Sequence, residues 1–305
     1  MRTSLIFNPR AGSADRIKDF LLQLTAGNRC ELRPTTRDGD ARRIAREAVD
    51  EGADRIIVAG GDGTIGQVVN GIAPDFSSVE LAILPFGTGN DLARSLGLTP
   101  DRMDLACRSA FASRLELIDV SRISGDEDSY CINVANGGFG GRVAMDVQTV
   151  DKKRWGAMAY WMTSVTRIVD LQEYRVSLNL DNERIEAPTY GVAIANGRFV
   201  GGGFPIAPEA RLNDGLLDVT TIPVLPTMEL MAAGLNFTLG RHQRDDRVRS
   251  YRVRSLRFEA TPDMPFSVDG EPTRRFDAMF EVLPQALRIV VGDNSPGLLD
   301  TPSVV

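Results

Sequence analysis

The fold of this chain is decided by the stretch Ile56-Ile57-Val58-Ala59-Gly60-Gly61-Asp62-Gly63-Thr64. Its apolar first half predicts a short buried strand, and the glycines that follow let the backbone turn sharply and approach a ligand closely. The first N–H groups of a helix have no partners within that helix and carry partial positive charge, so anions bind there. The stretch therefore predicts a phosphate-binding turn, in which the Thr64 hydroxyl contacts the ligand or caps the helix.

Two further turns repeat this arrangement. A strand at Leu81–Pro85 runs into Phe86-Gly87-Thr88-Gly89-Asn90-Asp91, and the first strand runs into Asn8-Pro9-Arg10-Ala11-Gly12-Ser13. Because the carboxyl ends of parallel strands meet at the same edge of a sheet, we expect all three turns to face one crevice. The first strand–helix turn lacks the G-x-G-x-x-G dinucleotide pattern, and the chain lacks a P-loop ending in Gly-Lys-Ser/Thr.

The first part of the chain alternates strands and helices, which predicts a parallel sheet with helices on both faces, an α/β domain. The expected strands are Ser4–Asn8, Cys30–Thr35, Arg55–Ala59 and Leu81–Pro85, and the expected helices are Ala14–Ala26, Asp40–Glu51, Thr64–Ile72 and Asn90–Leu96.

From about residue 115 onward, strand patterns separated by turn residues predict a mainly antiparallel, β-sandwich-like domain, interrupted by a helix at about Trp155–Asp170. Its expected strands are Leu115–Ile123, Tyr130–Ala135, Arg175–Leu180, Tyr190–Ala195, Leu217–Ile222, Ser255–Ala260, Phe266–Val268, Met279–Val282 and Leu287–Val291. We assign residues 1–120 to a nucleotide-binding domain and residues 121–291 to a β-rich substrate and metal domain. The tail at 292–305 is expected either to extend freely or to pack back on the first domain.

The composition excludes several classes of function. A net charge of −6 and a pI of about 5.1 argue against general nucleic-acid binding, which needs a basic face. A single histidine, His242, and three cysteines without a C-x-x-C pair argue against structural zinc and are typical of a reducing compartment. The most apolar stretch, Ile222–Leu239, contains two prolines, so it is not predicted to span a membrane. We expect a cytoplasmic protein whose membrane contact is peripheral, at the inner face.

The two glycine strings taken together resemble the catalytic-domain family of the diacylglycerol kinases, which includes soluble bacterial lipid kinases, sphingosine kinases and ceramide kinases. The resemblance covers nearly the whole chain and is strongest to the soluble bacterial branch. It implies a first domain like that of NAD kinases and phosphofructokinases, and an ATP-dependent kinase of diacylglycerol or a similar lipid alcohol. Besides those strings it rests on Asn8-Pro9 with Gly12, Thr35 before Gly39-Asp40-Ala41, Asn133-Val134-Ala135-Asn136-Gly137-Gly138-Phe139-Gly140, Gly201-Gly202-Gly203 with Ala207-Pro208, Asn213-Asp214-Gly215-Leu216-Leu217-Asp218 and Val268-Asp269-Gly270-Glu271-Pro272.

The resemblance also implies a nucleotide site and a magnesium site. Mg²⁺ would be held by Asp214 with the backbone carbonyls of Arg211 and Leu216, and Asp62 and Asp91 would join Asp214 in a network of water and metal contacts. ATP would be bound by Asn8, Thr35, Gly60, Gly61, Asp62, Gly63, Thr64, Gly87, Thr88, Gly89 and Asn90.

Catalysis is assigned to two carboxylates by the same resemblance. Glu271 would take the proton of the substrate hydroxyl, and Asp62 would support the reaction beside the phosphates. From the local pattern alone, Asp269-Gly270 predicts an ordinary tight turn with an exposed acid after it. The resemblance reverses that preference.

One departure from the family pattern is Gly66-Gln67, where members often carry Asn-Glu, so a carboxylate that could contact ribose or metal-bound water is absent. This departure motivates one alternative, a nucleotide-binding regulator without catalysis. A second alternative is a kinase of a soluble substrate, such as NAD or a sugar phosphate, because glycine turns of this kind also occur in those enzymes.

The expected partner is a lipid substrate at a membrane surface, with no nucleic acid and with a homodimer left open. One candidate surface is Lys152-Lys153-Arg154-Trp155 with the aromatic and Met residues that follow it. The second candidate surface consists of Arg241, Arg244, Arg247, Arg249, Arg252, Arg254 and Arg257. For both surfaces a purely structural interpretation is favoured: a helix that packs its aromatic side chains for the first, and a solvated strand face for the second.

Overall fold

The computed structural model describes residues 1–9, 21–22, 25–26, 30–99, 103–125, 128–141, 171–181, 183–226, 229–230, 248–274 and 277–292. Several predictions fall outside these residues: most of the helix at Ala14–Ala26, the helix at Trp155–Asp170, the basic segment from Lys152, arginines 241 to 247, and the tail from residue 293. Among the described residues, no helix combines the length and the apolar character needed to cross a membrane.

The first domain contains the predicted parallel sheet. Its strands lie in the order β2-β1-β3-β4, and all of their pairings are parallel. Strands β1 and β3 are buried along their whole length, which explains their continuous apolar runs. The elements are β1 (Thr3–Phe7), β2 (Cys30–Pro34), α1 (Asp40–Asp50), β3 (Arg55–Gly60), α2 (Asp62–Ile72), β4 (Glu80–Pro85), α3 (Asp91–Ser95) and α4 (Met103–Ala110).

The rest of the described chain is a mainly antiparallel β domain, as predicted. Its central strands follow one another in the order β16-β15-β7-β9-β8-β14-β17. The strands are β5 (Leu115–Ser124), β6 (Ser129–Cys131), β7 (Val134–Gly138), β8 (Tyr174–Leu180), β9 (Glu183–Ala195), β10 (Phe199–Val200), β11 (Phe204–Pro205), β12 (Leu217–Pro223), β13 (Arg249–Val253), β14 (Ser255–Thr261), β15 (Pro265–Val268), β16 (Glu271–Arg274) and β17 (Asp277–Val290).

Two sequence-based strand assignments were wrong in detail. The single strand predicted at Tyr130–Ala135 is two strands, because the N–H groups of Ile132 and Asn133 are donated to a buried carboxylate instead of a neighbouring strand. The two strands predicted at Met279–Val282 and Leu287–Val291 are one long strand, β17, whose pairing with β5 shifts register between its halves. The helix α4 was not predicted at all.

The long strand β17 joins the strands of the two domains into one sheet. Its first half pairs with β14, while Arg288 and Ile289 pair in parallel with β4 of the first sheet. Leu287, Ile289 and Val290 accordingly belong to the same buried core as the first-domain strands. The domain boundary near residue 120 stays a prediction, but the end of β17 is packed against the first domain.

Candidate active site

The predicted nucleotide-binding turns meet at one edge of the first sheet. Asn8 follows β1, Thr35 follows β2, and the Gly60-Gly61 turn follows β3. The strand order places β2 and β3 on opposite sides of β1, so the chain reverses direction across the sheet there, and crevices at such points bind ligands. The Asn8 side chain donates from Nδ2 to the Thr64 hydroxyl at 3.2 Å, which links the turn after β1 to the helix that follows the Gly60-Gly61 turn.

The two glycine turns after β3 and β4 touch each other. The N–H groups of Phe86 and Gly87 donate to the Gly60 carbonyl at 3.0 and 3.1 Å. A Cβ atom at Gly87 would overlap the Cα atom of Gly61, so only glycines allow this approach. The predicted convergence of these turns is therefore present, and Thr88 stands exposed beside them.

Asn90 stabilises the conformation of the Gly87-Thr88-Gly89 turn. Its backbone is left-handed, with φ of 55°, a conformation in which asparagine is one of the few acceptable residues besides glycine. The buried side chain accepts from the Gly87 N–H at 2.8 Å and donates to the Gly87 carbonyl at 2.7 Å. This pair of bonds fixes Gly87, Thr88 and Gly89 as a loop at the start of α3.

Asp62 and Asp91 lie close together on either side of Gly89. A Cβ atom at Gly89 would be 2.9 Å from Oδ2 of Asp62 and 3.2 Å from Oδ2 of Asp91. Asp62 accepts from the N–H of Leu92 at 3.2 Å, at the N-terminus of α3. Burial raises the pKa of both carboxyls, and the charge of Asp62 raises that of Asp91 further. Such a pair favours a proton or a cation between its members.

The glycine string predicted from the second domain completes this part of the site. The N–H groups of Gly202 and Gly203 donate to the Asp91 carboxylate at 3.0 and 2.7 Å. Asp91 thereby ties α3 to the loop between β10 and β11.

Glu271 reaches the first domain from the second. The β15–β16 hairpin places its exposed side chain against α2, where a Cβ atom at Gly63 would overlap Oε1 of Glu271. The Gln67 amide nitrogen lies 3.5 Å from the same oxygen. The predicted base is therefore next to the predicted phosphate turn, although the two are far apart in sequence.

Asp269 has a role that the sequence did not reveal. Its buried carboxylate accepts the N–H groups of Ile132, Asn133 and Val134 at 2.9 to 3.2 Å and the Cys131 thiol at 3.2 Å. Burial raises the pKa of Asp269 to about 6, although the hydrogen bonds that its carboxylate accepts act to lower it. The available signal was an Asp before Gly in a tight turn, where φ of 47° is tolerated. Asp269 locks the hairpin that carries the candidate base.

Asp214 lies in an acidic group with Asp119 and Asp218. It accepts from the Leu216 N–H at 3.1 Å through Oδ1, and its Oδ2 pairs with Arg252. The buried Asp119 accepts from the backbone N–H groups of Gly215 and Gln285, each at 2.7 Å. Asp62 and Asp91 are grouped around Gly89, and their predicted network with Asp214 stays a prediction.

The acidic group around Asp214 suits a hard cation. Burial raises the pKa of Asp218 to about 6, and Asn213 has a buried Oδ1 atom without a hydrogen-bond partner. Magnesium prefers oxygen ligands and keeps several waters, so one carboxylate and a few carbonyls suffice. Within the described ranges, no cluster of three or more acidic, cysteine or histidine side chains is arranged as a metal cage. An ion held by Asp214 would compete with Arg252 for the carboxylate.

Two arginines in the described part of the arginine-rich stretch form ion pairs. Arg252 contacts Asp214 and Asp218, and Arg257 pairs with Asp277 at 2.9 Å and Glu259 at 3.2 Å. These pairs favour the interpretation of a solvated strand face.

Two family models cover most of the chain. The model of the diacylglycerol kinase catalytic domain matches residues 2–123, and that of the YegS C-terminal NAD kinase beta sandwich-like domain matches residues 126–291. Among curated relatives, the Probable lipid kinase YegS-like of Pseudomonas aeruginosa PAO1 is 33% identical, over 98% of this chain and 96% of that protein. The Probable lipid kinase YegS of Escherichia fergusonii is 30% identical, over 96% of both chains.

Solved structures show the same fold. A diacylglycerol kinase from Bacillus anthracis str. Sterne superposes with a TM-score of 0.73 at 21% identity, covering 96% of this chain and 98% of that one. Another chain from the same organism gives a TM-score of 0.80 at 23% identity, with 96% of both chains covered.

Proposed function

Since this chain belongs to the YegS-like lipid kinase family, it is a phosphotransferase, and we propose that it transfers the γ-phosphoryl group of ATP to the hydroxyl of diacylglycerol or a similar lipid alcohol. The observation that carries this proposal is the contact of Glu271 with the Gly63 turn. A carboxylate beside the phosphate-binding amides is where an acceptor hydroxyl has to lose its proton. A membrane surface is the expected source of the lipid.

Phosphoryl transfer depends on charge neutralisation and positioning more than on covalent catalysis. The unpaired N–H groups at the start of α2, with the Thr64 hydroxyl beside them, would bind the phosphates. Thr35, which follows β2, and Thr88, exposed on the turn after β4, are the proposed side-chain contacts to ATP.

Glu271 is the proposed general base. Its side chain is exposed to an incoming acceptor while its carboxylate stays at the helix N-terminus. A base of this kind contributes about 10²–10⁴-fold to a rate. Asp62, half-buried between the two glycine turns, is proposed to order the phosphate turn through its bond to Leu92.

Magnesium is proposed to be held by Asp214 with the carbonyl oxygens of Arg211 and Leu216. When bound, the ion would neutralise negative charge near the nucleotide. The residues themselves contribute an acidic loop that is fixed by the bonds of Asp119 to Gly215 and Gln285.

The experiment is radiolabelled ATP transfer to a panel of lipid alcohols, NAD and sugar phosphates. Label confined to a chloroform-soluble product supports a lipid acceptor, whereas label in NAD or a sugar phosphate would replace it with a soluble one. ATP binding without any transfer would indicate a regulator. Glu271→Gln should lower lipid phosphorylation about 10²–10⁴-fold with ATP affinity unchanged. Glu186→Gln, on the exposed edge of β9 where Glu186 pairs with Arg184, is the matched control and should be fully active.

A further inference from the structure

Consecutive residues of α2 contact the acidic residues on both sides of Gly270. A Cβ atom at Gly66 would lie 3.1 Å from Cβ of Asp269. The next residue, Gln67, places its amide nitrogen 3.5 Å from Oε1 of Glu271. Gly63 and Gln67 are four residues apart and therefore lie on the same face of α2. Glu271 also contacts Gly63.

The hydrogen bonds of Asp269 hold the β15–β16 hairpin in this position against α2. Asp269 is held by three backbone N–H groups and a thiol, all from the segment 131–134. A Cβ atom at position 66 would require Asp269 or α2 to shift by a few tenths of an ångström. Because Gly66 has no side chain, the β15–β16 hairpin packs closely against α2. Gln67 is the α2 side chain that contacts Glu271 in this arrangement.

A glutamate on an exposed hairpin has several rotamers of similar energy, and fixing one of them costs conformational entropy. An amide N–H that donates to its carboxylate favours the rotamer in which that bond forms, and bonds to charged acceptors are the stronger kind.

We propose that Gln67 is a positioning residue, whose side-chain N–H directs the Glu271 carboxylate toward the Gly63 turn, where it receives the proton of the acceptor hydroxyl. This inference rests on the proposed function, in which Glu271 is the base. It makes Gly66-Gln67 a working part of the site and not a sign of lost catalysis.

Two variants of Gln67 test it. Gln67→Met keeps the length and most of the volume of the side chain but has no donor, while Gln67→Ala removes both. Each should lower kcat about tenfold, the effect expected from losing one hydrogen bond to a charged group, with KM for ATP within about twofold of wild type.

The decisive comparison is made in the Glu271→Gln background. There Gln67→Met should have no further effect on kcat, because a residue that acts through another loses its influence when that other is disabled. Wild-type kcat in Gln67→Met would show that the side chain only packs. A tenfold loss that persists in the Glu271→Gln background would show that it acts elsewhere. Either result overturns the inference.

Failure of the proposed function gives a different pattern. Should Glu271→Gln itself retain wild-type transfer, the base assignment is wrong whatever Gln67 does. A crystal structure of Gln67→Met supplies a readout that needs no acceptor. The Glu271 carboxylate should leave Gly63, and an unchanged position would refute the role of Gln67.

Discussion

Asn90 offers a quantitative test of how the second glycine turn is held. Replacing it by alanine removes two hydrogen bonds to Gly87, at 2.8 and 2.7 Å, from a side chain that is 1% exposed. Each such bond contributes about 1 kcal/mol net, so the pair contributes about 2 kcal/mol. Alanine in the left-handed conformation, at φ of 55°, costs about 1 kcal/mol more. Asn90→Ala should therefore lose about 3 kcal/mol of unfolding free energy.

The matched control is Asn90→Gly, which loses the same two bonds but tolerates the backbone conformation. It should lose about 2 kcal/mol, leaving a difference of about 1 kcal/mol that reports the backbone strain. Urea unfolding followed by far-ultraviolet circular dichroism gives both free energies. ATP affinity should fall in both variants, because Gly87 to Gly89 border the crevice. A loss of less than about 1 kcal/mol in Asn90→Ala would refute the accounting.

Two further outcomes are expected. Burial raises the pKa of Asp269 from an ordinary 3.8 to about 6, so the native state binds a proton that the unfolded state releases, and stability is lost as pH rises through this window. Compared with Asp269→Asn, whose side chain does not titrate, the wild type should lose about 2 kcal/mol between pH 4 and 6, as measured by urea unfolding; a difference that is flat with pH would contradict this. Arg252→Ala frees an oxygen of Asp214, so Mg²⁺ should raise the melting temperature more in this variant than in wild type. Arg257→Ala, which removes pairs with Glu259 and Asp277 only, should respond to Mg²⁺ as wild type does, and an equal response in all three proteins would count against Asp214 as a ligand.

The first sheet was predictable because its signals are local. An apolar run such as Ile56 to Ala59, followed by glycines and a helix start, specifies strand, turn and helix within a few residues. Parallel pairing then follows from the alternation of strands and helices. The same local signal predicted that Asn8 and the two glycine turns lie at one sheet edge, whereas Thr35 was expected only from the family resemblance.

The second domain was less predictable because its strand ends depend on distant partners. The break after Cys131 exists only because Asp269, far along the chain, accepts the N–H groups that would continue the ladder. The register shift within β17 coincides with Gln285, whose N–H donates to the buried Asp119. Neither effect has a periodic signal in the residues around it.

The sequence by itself determined the strand–turn–helix units and therefore where phosphate-binding amides collect, because backbone conformation and unpaired helix N–H groups are set by neighbouring residues. Only the tertiary structure decided that Glu271 meets Gly63 and Gln67, that Asp269 anchors their hairpin, and that Asp214 pairs with Arg252. Those relationships arise from the packing of side chains that are far apart along the chain. The burial of these side chains and the distances between them are set only when the two domains pack together.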